Sequence, residues 1–414
     1  MPKAAQEAVP VTRKRRKAVP GGGRSAVPKK AGPRAMPPVR RVWFGVAVSK
    51  NKGTEVKVKY ALAAGLLLGA GLAHAQSNVT LYGIIDTGIA YYNNAANGGS
   101  FVGEPTLTGK VPSRFGFKGG EDLGGGLKAV FTLENGFQPG TGGLNYGGRL
   151  FGRQANVGLS GSWGTLLIGR QNNMTFYVTG NADVIGPSIF SLASIDPYIA
   201  NARSDSAVGY MGKFSGVTIG ATYSFGRDAS SAGGPSATNC AGNVAGNYQA
   251  CKQFTGLIGY DYENFGISAS YDQMRGNTGA AAPLTSSNYT DSHSVINAYY
   301  KWSSGRVGGG WIHRNVSADA ASLRSDIYFI GFTYLPTITW AFDAQAIRYQ
   351  LKSRANATML IGRATYSLSK RTSLYGMAGW VANSQKGAVA IAAGGSVVTG
   401  GNQFGTMLGI QHTF

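Results

Sequence analysis

Apolar and polar residues alternate along most of the chain that follows residue 76. In residues 217–225 apolar side chains occupy every second position, and Thr, Gly and Ser occupy the positions between them. The same period of two occurs in residues 127–134, 328–334 and 360–368. Successive side chains of a β-strand point to opposite faces, so this pattern predicts strands. Their length of about nine to eleven residues crosses a bilayer when a strand is tilted.

The links between the predicted strands alternate in length. Short links are predicted at residues 121–126, 160–164, 213–216, 262–266, 303–305, 335–339 and 369–371. Long links are predicted at residues 93–111, 136–148, 171–204, 226–253, 275–293, 315–324, 350–357 and 382–402. Together they join an even number of strands, sixteen. Tight turns at one end and long loops at the other are typical of a transmembrane barrel, whereas a soluble sandwich has no reason to sort its links by side.

Composition supports one large all-β domain rather than a helical bundle or a disordered polymer. The 414 residues include 63 glycines, and 43% are hydrophobic, whereas only 14% are charged. No change of composition after residue 76 marks a domain boundary. No apolar run beyond that point approaches the length of a membrane-spanning helix. A chain with these strands is therefore either soluble or a closed β-barrel in a membrane.

A secretory signal peptide is predicted at residues 56–75. Lys57 and Lys59 precede an apolar stretch at residues 61–72, and the small residues Ala73 and Ala75 stand before Gln76. This order of basic, apolar and small residues is typical of a cleaved export signal, and the apolar stretch is too short to span a bilayer. We expect residues 76–414 to form the barrel.

Residues 1–55 form a basic extension. The formal net charge of the chain is +21, and most of it falls before residue 76. Pro, Gly, Ala and basic residues dominate without apolar periodicity, which predicts disorder. A signal peptide acts at the start of its protein, so we interpret residues 1–55 as an artefact of an upstream start site. The alternative for the basic run at residues 13–17 is a nuclear or nucleic-acid tag, but no nucleic-acid partner is expected.

Five segments in the exported part resemble the Gram-negative general porins, in particular the beta-proteobacterial branch of the trimeric, 16-stranded porins. The segments are residues 77–86, 113–127, 153–159, 168–171 and 409–414. The resemblance implies an outer-membrane barrel with short periplasmic turns, long outer loops and a third loop folded inward. It also implies a homotrimer that passes small hydrophilic solutes and ions. Asn156 and Gln411 depart from residues that are usual in the family.

The third long loop, residues 172–202, is expected to narrow the lumen. Its acidic residues are Asp183 and Asp196, and both are expected to face the pore. The alternative for each is a local cap or Asx turn, which is common for Asp beside proline, glycine and serine.

Basic residues are expected on the wall opposite this loop. Arg114 and Lys118 alternate with Phe115 and Phe117, so a period of two points both basic side chains inward. Arg153 and Arg170 match family motifs but share a strand face with apolar residues. The alternative for Arg114, Arg153 and Arg170 is a structural ion pair in the wall. Arginine on the lipid side costs about 2–4 kcal/mol near the midplane. Basic residues exceed acidic ones after residue 76, so a weak anion preference is expected.

Two further features lie in an outer loop and at the C-terminus. Cys240 and Cys251 are the only cysteines, and in an exported chain they form either a disulfide or two free thiols. Phe414 shares a strand face with Phe404 and Leu408, so the last strand can pair edge to edge with a partner. The resemblance implies that Phe414 is the signal read by the barrel assembly machinery. Outer-membrane lipid and lipopolysaccharide are the other expected partners.

Catalysis has little support in the sequence. The chain has four histidines, and no spacing suggests a catalytic triad, a metal site or a cofactor. No cofactor, no metal and no catalytic residue are expected. A barrel enzyme such as an outer-membrane lipase is one alternative. A solute-specific channel or a surface adhesin is another, because the sequence of long outer loops does not reveal what they bind.

Overall fold

The computed structural model describes residues 78–95, 99–226, 240, 242–319 and 322–414. The predicted extension at residues 1–55 and the predicted signal peptide at residues 56–75 lie outside the described residues. No helix in the described ranges is long and apolar enough to cross a membrane.

The regular secondary structure of the described chain is mostly β-strand. Its strands are β1 (Asn78–Tyr92), β2 (Phe101–Gly103), β3 (Arg114–Gly124), β4 (Leu127–Gly136), β5 (Gln154–Gly161), β6 (Gly164–Asn172), β7 (Arg203–Phe214), β8 (Val217–Ser224), β9 (Gln253–Tyr262), β10 (Phe265–Arg275), β11 (Thr290–Trp302), β12 (Gly305–Ser317), β13 (Leu323–Tyr334), β14 (Trp340–Leu351), β15 (Ala355–Ser367), β16 (Thr372–Asn383) and β17 (Gln403–Thr413). Its helices are Asn145–Gly148, Met174–Ala182, Pro197–Ala200 and a 3-10 turn at Leu192–Ser194.

Sixteen long antiparallel strands close into a barrel. Each strand from β3 onward pairs with the next, β1 pairs with β3, and the pairing of β1 with β17 closes the wall. β2 is a three-residue strand that adds to β1 alone. Closure leaves no unpaired edge, which a sheet in a membrane requires. The predicted all-β barrel of sixteen strands is confirmed.

The short turns lie at one end of the barrel and the longer loops at the other. The turn between β7 and β8 is Ser215-Gly216, with φ of 47° and 87°, and such two-residue turns match the twist of antiparallel strands. Two predicted long links are wrong. The link expected at residues 315–324 consists only of residues 318–322, which is as short as the link at residues 335–339. The link expected at residues 350–357 consists only of residues 352–354, because β14 continues through Leu351 and β15 resumes at Ala355.

The outer face of the wall is apolar and exposed. Leu81, Ile330 and Leu408 are 56%, 60% and 73% exposed, and each lies on the face that alternation assigns to lipid. A barrel in a membrane inverts the pattern of a soluble protein in this way, because lipid rather than a core covers its apolar residues.

The inner face carries a second apolar surface that the loop at residues 173–202 covers. We call this segment the inward loop. Its Val178, Ile185 and Phe190 form one buried cluster with inward residues of the wall such as Ile312 and Met359. The third loop therefore folds into the barrel, as predicted, and apolar contact holds it there.

Close approach of the inward loop depends on a glycine in the wall. A Cβ atom at Gly308 of β12 would lie 2.3 Å from the carbonyl oxygen of Ala182. The loop helix, Met174–Ala182, could not end against β12 if any larger residue stood there. Asn173 caps the start of this helix, since its side chain accepts a hydrogen bond from the Phe176 N–H at 3.2 Å.

Candidate functional site: charged residues of the lumen

Arg114 and Arg153 share a single carboxylate. The Nε atom of Arg153 donates to Oε1 of Glu134 at 2.7 Å, and Nε of Arg114 lies 4.0 Å from Oε2. The Tyr82 hydroxyl donates to the same Oε2 atom at 3.0 Å. Glu134 pairs with Gly116 of β3, on the face that also carries Arg114 and Lys118. Two guanidinium groups with one carboxylate leave a net positive charge here.

Arg153 reaches this cluster because it precedes its strand. β5 begins at Gln154, and the Arg153 N–H donates to the Glu134 carbonyl at 3.1 Å. Val157, which has the same parity as Arg153, is 58% exposed on the lipid side. Alternation therefore does not fix the direction of the Arg153 side chain.

Lys118 is an exposed side chain on the same inner face as Arg114. Its Nζ atom lies 5.2 Å from the centroid of the Tyr82 ring, within the range of a cation–π contact. Within the described ranges no ion pair involves Lys118, so this lysine adds to the excess of positive charge.

Arg170 occupies an irregular position of β6. Arg170 is two residues from the lipid-facing Ile168, so regular alternation would point it to the same face. The pairing of β6 with β7 shifts between Gly169 and Gln171, however, and interrupts this alternation. Its Nη1 atom forms an ion pair with Asp205, and its Nε atom donates to the Gly152 carbonyl at 2.7 Å. This is the ion-pair arrangement that the sequence offered as the alternative.

Tyr146 connects three arginines and was not singled out in the sequence. Its hydroxyl accepts from Nη1 of Arg153 at 3.0 Å, and the guanidinium groups of Arg203 and Arg170 lie 5.3 and 6.0 Å from its ring. Burial raises the pKa of Tyr146, but these arginines outweigh burial and lower it. Tyr146 lies in a glycine-rich loop with no periodicity, so no local signal pointed to it.

Asp183 ends the loop helix. Its Oδ1 atom accepts from the N–H groups of Ile185 and Gly186 at 3.2 and 3.0 Å, and from Nε2 of Gln345 at 3.0 Å. Burial raises the pKa of this carboxyl. These contacts are those of a local cap, and they place Asp183 beside β14 rather than beside Arg114.

Asp196 anchors the returning half of the inward loop. Its Oδ1 atom accepts from the Tyr198 N–H at 3.0 Å, while Oδ2 lies 3.0 Å from Nε2 of His293 and 3.3 Å from Nη1 of Arg314. Burial alone would raise the pKa of Asp196, but Arg314 and His293 hold it well below its usual range. Asp196 therefore caps a turn and also binds β11 and β12.

Arg363 fastens two loops to β15, and sequence reasoning did not select it. Its Nη2 atom lies 2.8 Å from Oδ2 of Asp343, while Nη1 donates to the carbonyls of Gly109 and Ile185 at 3.1 and 3.0 Å. Arg363 stands on the polar face of a predicted strand, but its loop partners are far away in sequence. The structure thus brings Arg114 and Arg153 together and holds Asp183 and Asp196 in separate contacts with β11, β12 and β14.

Residues 61–386 match the profile of the Gram-negative porin family. The chain belongs to this family. It is an outer-membrane porin, since its relatives and its fold agree with that assignment.

Two curated relatives of this porin come from beta-proteobacteria. An outer membrane porin protein of Bordetella pertussis is 39% identical over 241 residues, which is 54% of this chain and 61% of the relative. Outer membrane porin protein 32 of Delftia acidovorans is 28% identical over 376 residues, which is 86% of this chain and 99% of the relative.

A solved structure has the same fold. The anion-selective porin from Comamonas acidovorans is 26% identical, with a TM-score of 0.69, and the comparison covers 82% of this chain and 100% of that one.

Cys240 and Cys251 form a disulfide in the loop between β8 and β9.

Phe414 lies at the seam of the barrel, where its N–H and carbonyl each form a 3.0 Å hydrogen bond with Gly83. Its ring lies over Gly83, where a Cβ atom would be only 2.2 Å from it. Phe414 therefore takes part in closing the barrel.

Proposed function

We propose that this porin passes small hydrophilic solutes and ions by diffusion and prefers anions weakly. The observation that carries this proposal is the shared carboxylate. Arg114 and Arg153 both pair with Glu134, so one negative charge balances two positive charges, and Lys118 is exposed on the same face. The porin from Comamonas acidovorans, with which this chain shares 26% identity, is described as anion-selective. That likeness supports the proposal.

The preference is expected to be modest. Two unit charges about 4 Å apart interact by about 1 kcal/mol in bulk water and by about 4 kcal/mol near a protein surface. A water-filled lumen lies between these limits. Salt weakens the interaction further, because the Debye length falls from about 10 Å at 0.1 M to about 3 Å at 1 M. Chloride should therefore be favoured more clearly at low salt than at high salt.

The test is the reversal potential of the refolded porin in a planar bilayer under a potassium chloride gradient. Replacing Arg114→Ser and Arg153→Ser together leaves Glu134 without its cations, so the preference should move toward potassium. A matched control, Lys370→Ser with Arg371→Ser, removes two charges from a short turn and should change the reversal potential much less. Wild-type selectivity for cations, or an unchanged double variant, would refute the assignment of these residues.

We also propose that the porin is a homotrimer. Among the described residues, exposed aromatics are frequent on the outer face from β7 to β17 but few from β1 to β6, where Tyr91, Phe117 and Trp163 are the examples. Aromatic girdles sit where a barrel meets lipid headgroups. The outer face of β1 to β6, which has few exposed aromatics, is therefore suited to contact with a neighbouring barrel. Unheated samples in mild SDS should migrate as one large species and should give the monomer after boiling, whereas migration unaffected by heat would refute the trimer.

Export and assembly follow from the proposed location. We propose that residues 56–75 are a cleaved signal peptide, that residues 1–55 are not translated, and that Phe414 is recognised by the barrel assembly machinery. Lipopolysaccharide of the outer leaflet is the proposed lipid partner. Intact mass of the porin from outer membranes should correspond to residues 76–414, and a product that retains residues 61–72 would refute the cleavage site.

We propose a channel rather than a catalyst. The described histidines have structural contacts: His293 pairs with Asp196, His313 pairs with Asp326, and His412 hydrogen-bonds to Thr372. In the described ranges no group of three or more His, Cys, Asp or Glu side chains could hold a metal ion. These contacts favour diffusion through the lumen over a barrel enzyme.

A further inference from the structure

The outer face of β14, β15 and β16 contains a groove lined by small residues. The register places Ala344, Gly362 and Ala378 side by side on these three strands, and Ala346 lies one row nearer the long loops. The groove has a volume of about 510 Å³, within the range of about 300–1,000 Å³ that is typical of ligand sites. Its walls are large apolar side chains: Val307, Ile330, Phe332, Leu360, Trp380 and Phe404.

A basic pocket lies at the long-loop end of the same strands. Arg324, Lys352 and Arg354 line it, and its volume is about 370 Å³. The Lys352 N–H donates to the Arg324 carbonyl at 2.9 Å, so these two basic residues are neighbours across β13 and β14. Arg348 lies on the outer face of β14, between this pocket and Ala346.

The four basic side chains have no acidic partners in the part of the chain that the structure describes. Arg348 donates to Oγ1 of Thr358 at 2.7 Å, and Nε of Arg324 donates to Oδ1 of Asn315 at 3.1 Å. These bonds orient the two guanidinium groups and use only part of their donors. The acidic residue on this face, Asp326, is paired with His313 at 2.9 Å.

We propose that the groove and the basic pocket together bind one phosphate-bearing lipid of the outer leaflet. An acyl chain lies in the groove, and a phosphate group contacts Arg348 and the basic pocket. Four residues of strand separate Arg348 from Ala344, which is about 13 Å at about 3.3 Å per residue, so one amphiphile spans both parts. The inference rests on the lipid partner proposed above and gives it a site.

Two observations favour a lipid over a second copy of the porin as the occupant. Exposed aromatics of the girdle, Trp340, Phe342 and Tyr366, lie on the same outer face toward the short turns, and such residues mark contact with the membrane interface. The apolar outer face of another barrel would also leave the four basic side chains without a partner. A phosphate group supplies the acceptors that they lack.

The groove is tested by filling it. A Cβ atom at Gly362 meets no atom within 4 Å, and the same is true of Gly256, a lipid-facing glycine of β9 on another part of the wall. Native mass spectrometry of the detergent-solubilised porin with diphosphoryl lipid A should show one bound lipid per protomer. Gly362→Leu should weaken binding about tenfold, because the new side chain displaces methylene groups of the acyl chain from the groove. Gly256→Leu should bind like the wild type.

The basic pocket is tested with the double variant Arg348→Gln with Lys352→Gln. It should weaken binding of lipid A about tenfold or more, because charge-assisted hydrogen bonds to the phosphate group are lost. Lys370→Gln with Arg371→Gln removes the same charge at the other end of the barrel and should have no effect. Dephosphorylated lipid A should bind the wild type as weakly as diphosphoryl lipid A binds the double variant.

Three outcomes would overturn the site. Equal lipid binding by the wild type and Gly362→Leu would mean that the groove holds no acyl chain. A change of oligomer mass in Gly362→Leu without a change in lipid binding would assign the groove to a second copy. Complete displacement of lipid A by inorganic phosphate would indicate a free-anion site. Conductance of all variants should equal that of the wild type, and a non-conducting wild type would refute the channel but not lipid binding.

Discussion

Two charged networks inside the barrel differ in how their charges are balanced. On β3 to β5, Arg114 and Arg153 share Glu134. On β11 and β12, Arg314 lies 2.7 Å from Asp291 and 3.3 Å from Asp196, so one guanidinium has two carboxylates. The first network keeps an excess of positive charge, and the second does not.

The two networks also differ in what they hold together. The cluster around Glu134 joins neighbouring elements of the wall, whereas Asp196 belongs to the inward loop and binds the wall from inside the lumen. Buried charges need partners, because the loss of one leaves the other uncompensated. We therefore propose that the network around Asp196 fixes the shape of the pore and that the network around Glu134 sets the charge that a passing ion meets.

The largest effect should come from breaking the loop anchor with Arg314→Gln. Asp196 is buried, but the Arg314 side chain is 31% exposed, so its removal should cost less than the about 3–5 kcal/mol of a fully buried pair. The loss falls on the contact between the inward loop and β12. The loop should detach more often. We expect larger current fluctuations in the open channel and faster proteolysis within residues 173–202.

The matched control is Arg306→Gln on the same strand. Nη2 of Arg306 donates to the Asp183 carbonyl at 3.0 Å, but among the described residues it has no carboxylate partner. Its loss should therefore change fluctuations and proteolysis much less. If Arg306→Gln and Arg314→Gln behave alike, the ion pair with Asp196 does not anchor the loop.

Alternation predicted the barrel and the part of the site that lies within regular strands. Arg114 and Lys118 lie on the inner face of β3. Phe115 and Phe117 alternate with them and face lipid, so the basic side chains must point to the other side. Pairing partners follow from the order of the strands, so the closed sheet was also predictable from the sequence.

The rest of the site depends on irregular backbone and distant partners. Arg153 stands one residue before its strand, and Arg170 stands at a shift of register, so parity does not assign either side chain. β13 carries apolar residues on both faces, such as Phe329 inward and Ile330 outward. The apolar residues on the inner face of β13 are explained only by their contact with the inward loop. Glu134, Arg314 and Arg363 acquire roles through partners far away in the chain.

A smaller effect should follow from Glu134→Gln, which removes the carboxylate that balances Arg114 and Arg153. The anion preference should rise by about fivefold or less in the chloride-to-potassium permeability ratio, because one charge in the lumen is worth about 1 kcal/mol. Reversal potentials at low salt measure the change. Glu263→Gln, in an exposed short turn, removes the same charge and should leave the ratio nearly constant. A larger shift in the control would place the selective charges at the mouth rather than in the wall.

The smallest effects should appear in the dependence of the loop on pH, where Asp183 and Asp196 behave in opposite ways. The pKa of Asp196 is depressed by Arg314 and His293, so its contribution is present above the ordinary pKa of about 3.9 and is lost only as pH falls through a much lower value. The pKa of Asp183 is raised by burial, so its contribution is present at low pH and decreases as pH rises through the raised value.

Acidification from about pH 7 to about pH 5 should therefore leave the inward loop attached, since both values of pH lie above the range in which Asp196 takes up a proton. Asp183→Asn removes the negative charge and keeps the Oδ1 acceptor for Ile185, Gly186 and Gln345, so its current fluctuations should not exceed those of the wild type at either pH. Asp196→Asn removes the charge that Arg314 and His293 require, so its fluctuations should exceed those of the wild type at both values of pH. A larger effect of Asp183→Asn than of Asp196→Asn would show that the anchor is Asp183 and its cap instead. Detachment of the wild-type loop at pH 5 would show that the ion pair of Asp196 with Arg314 does not hold the loop at that pH.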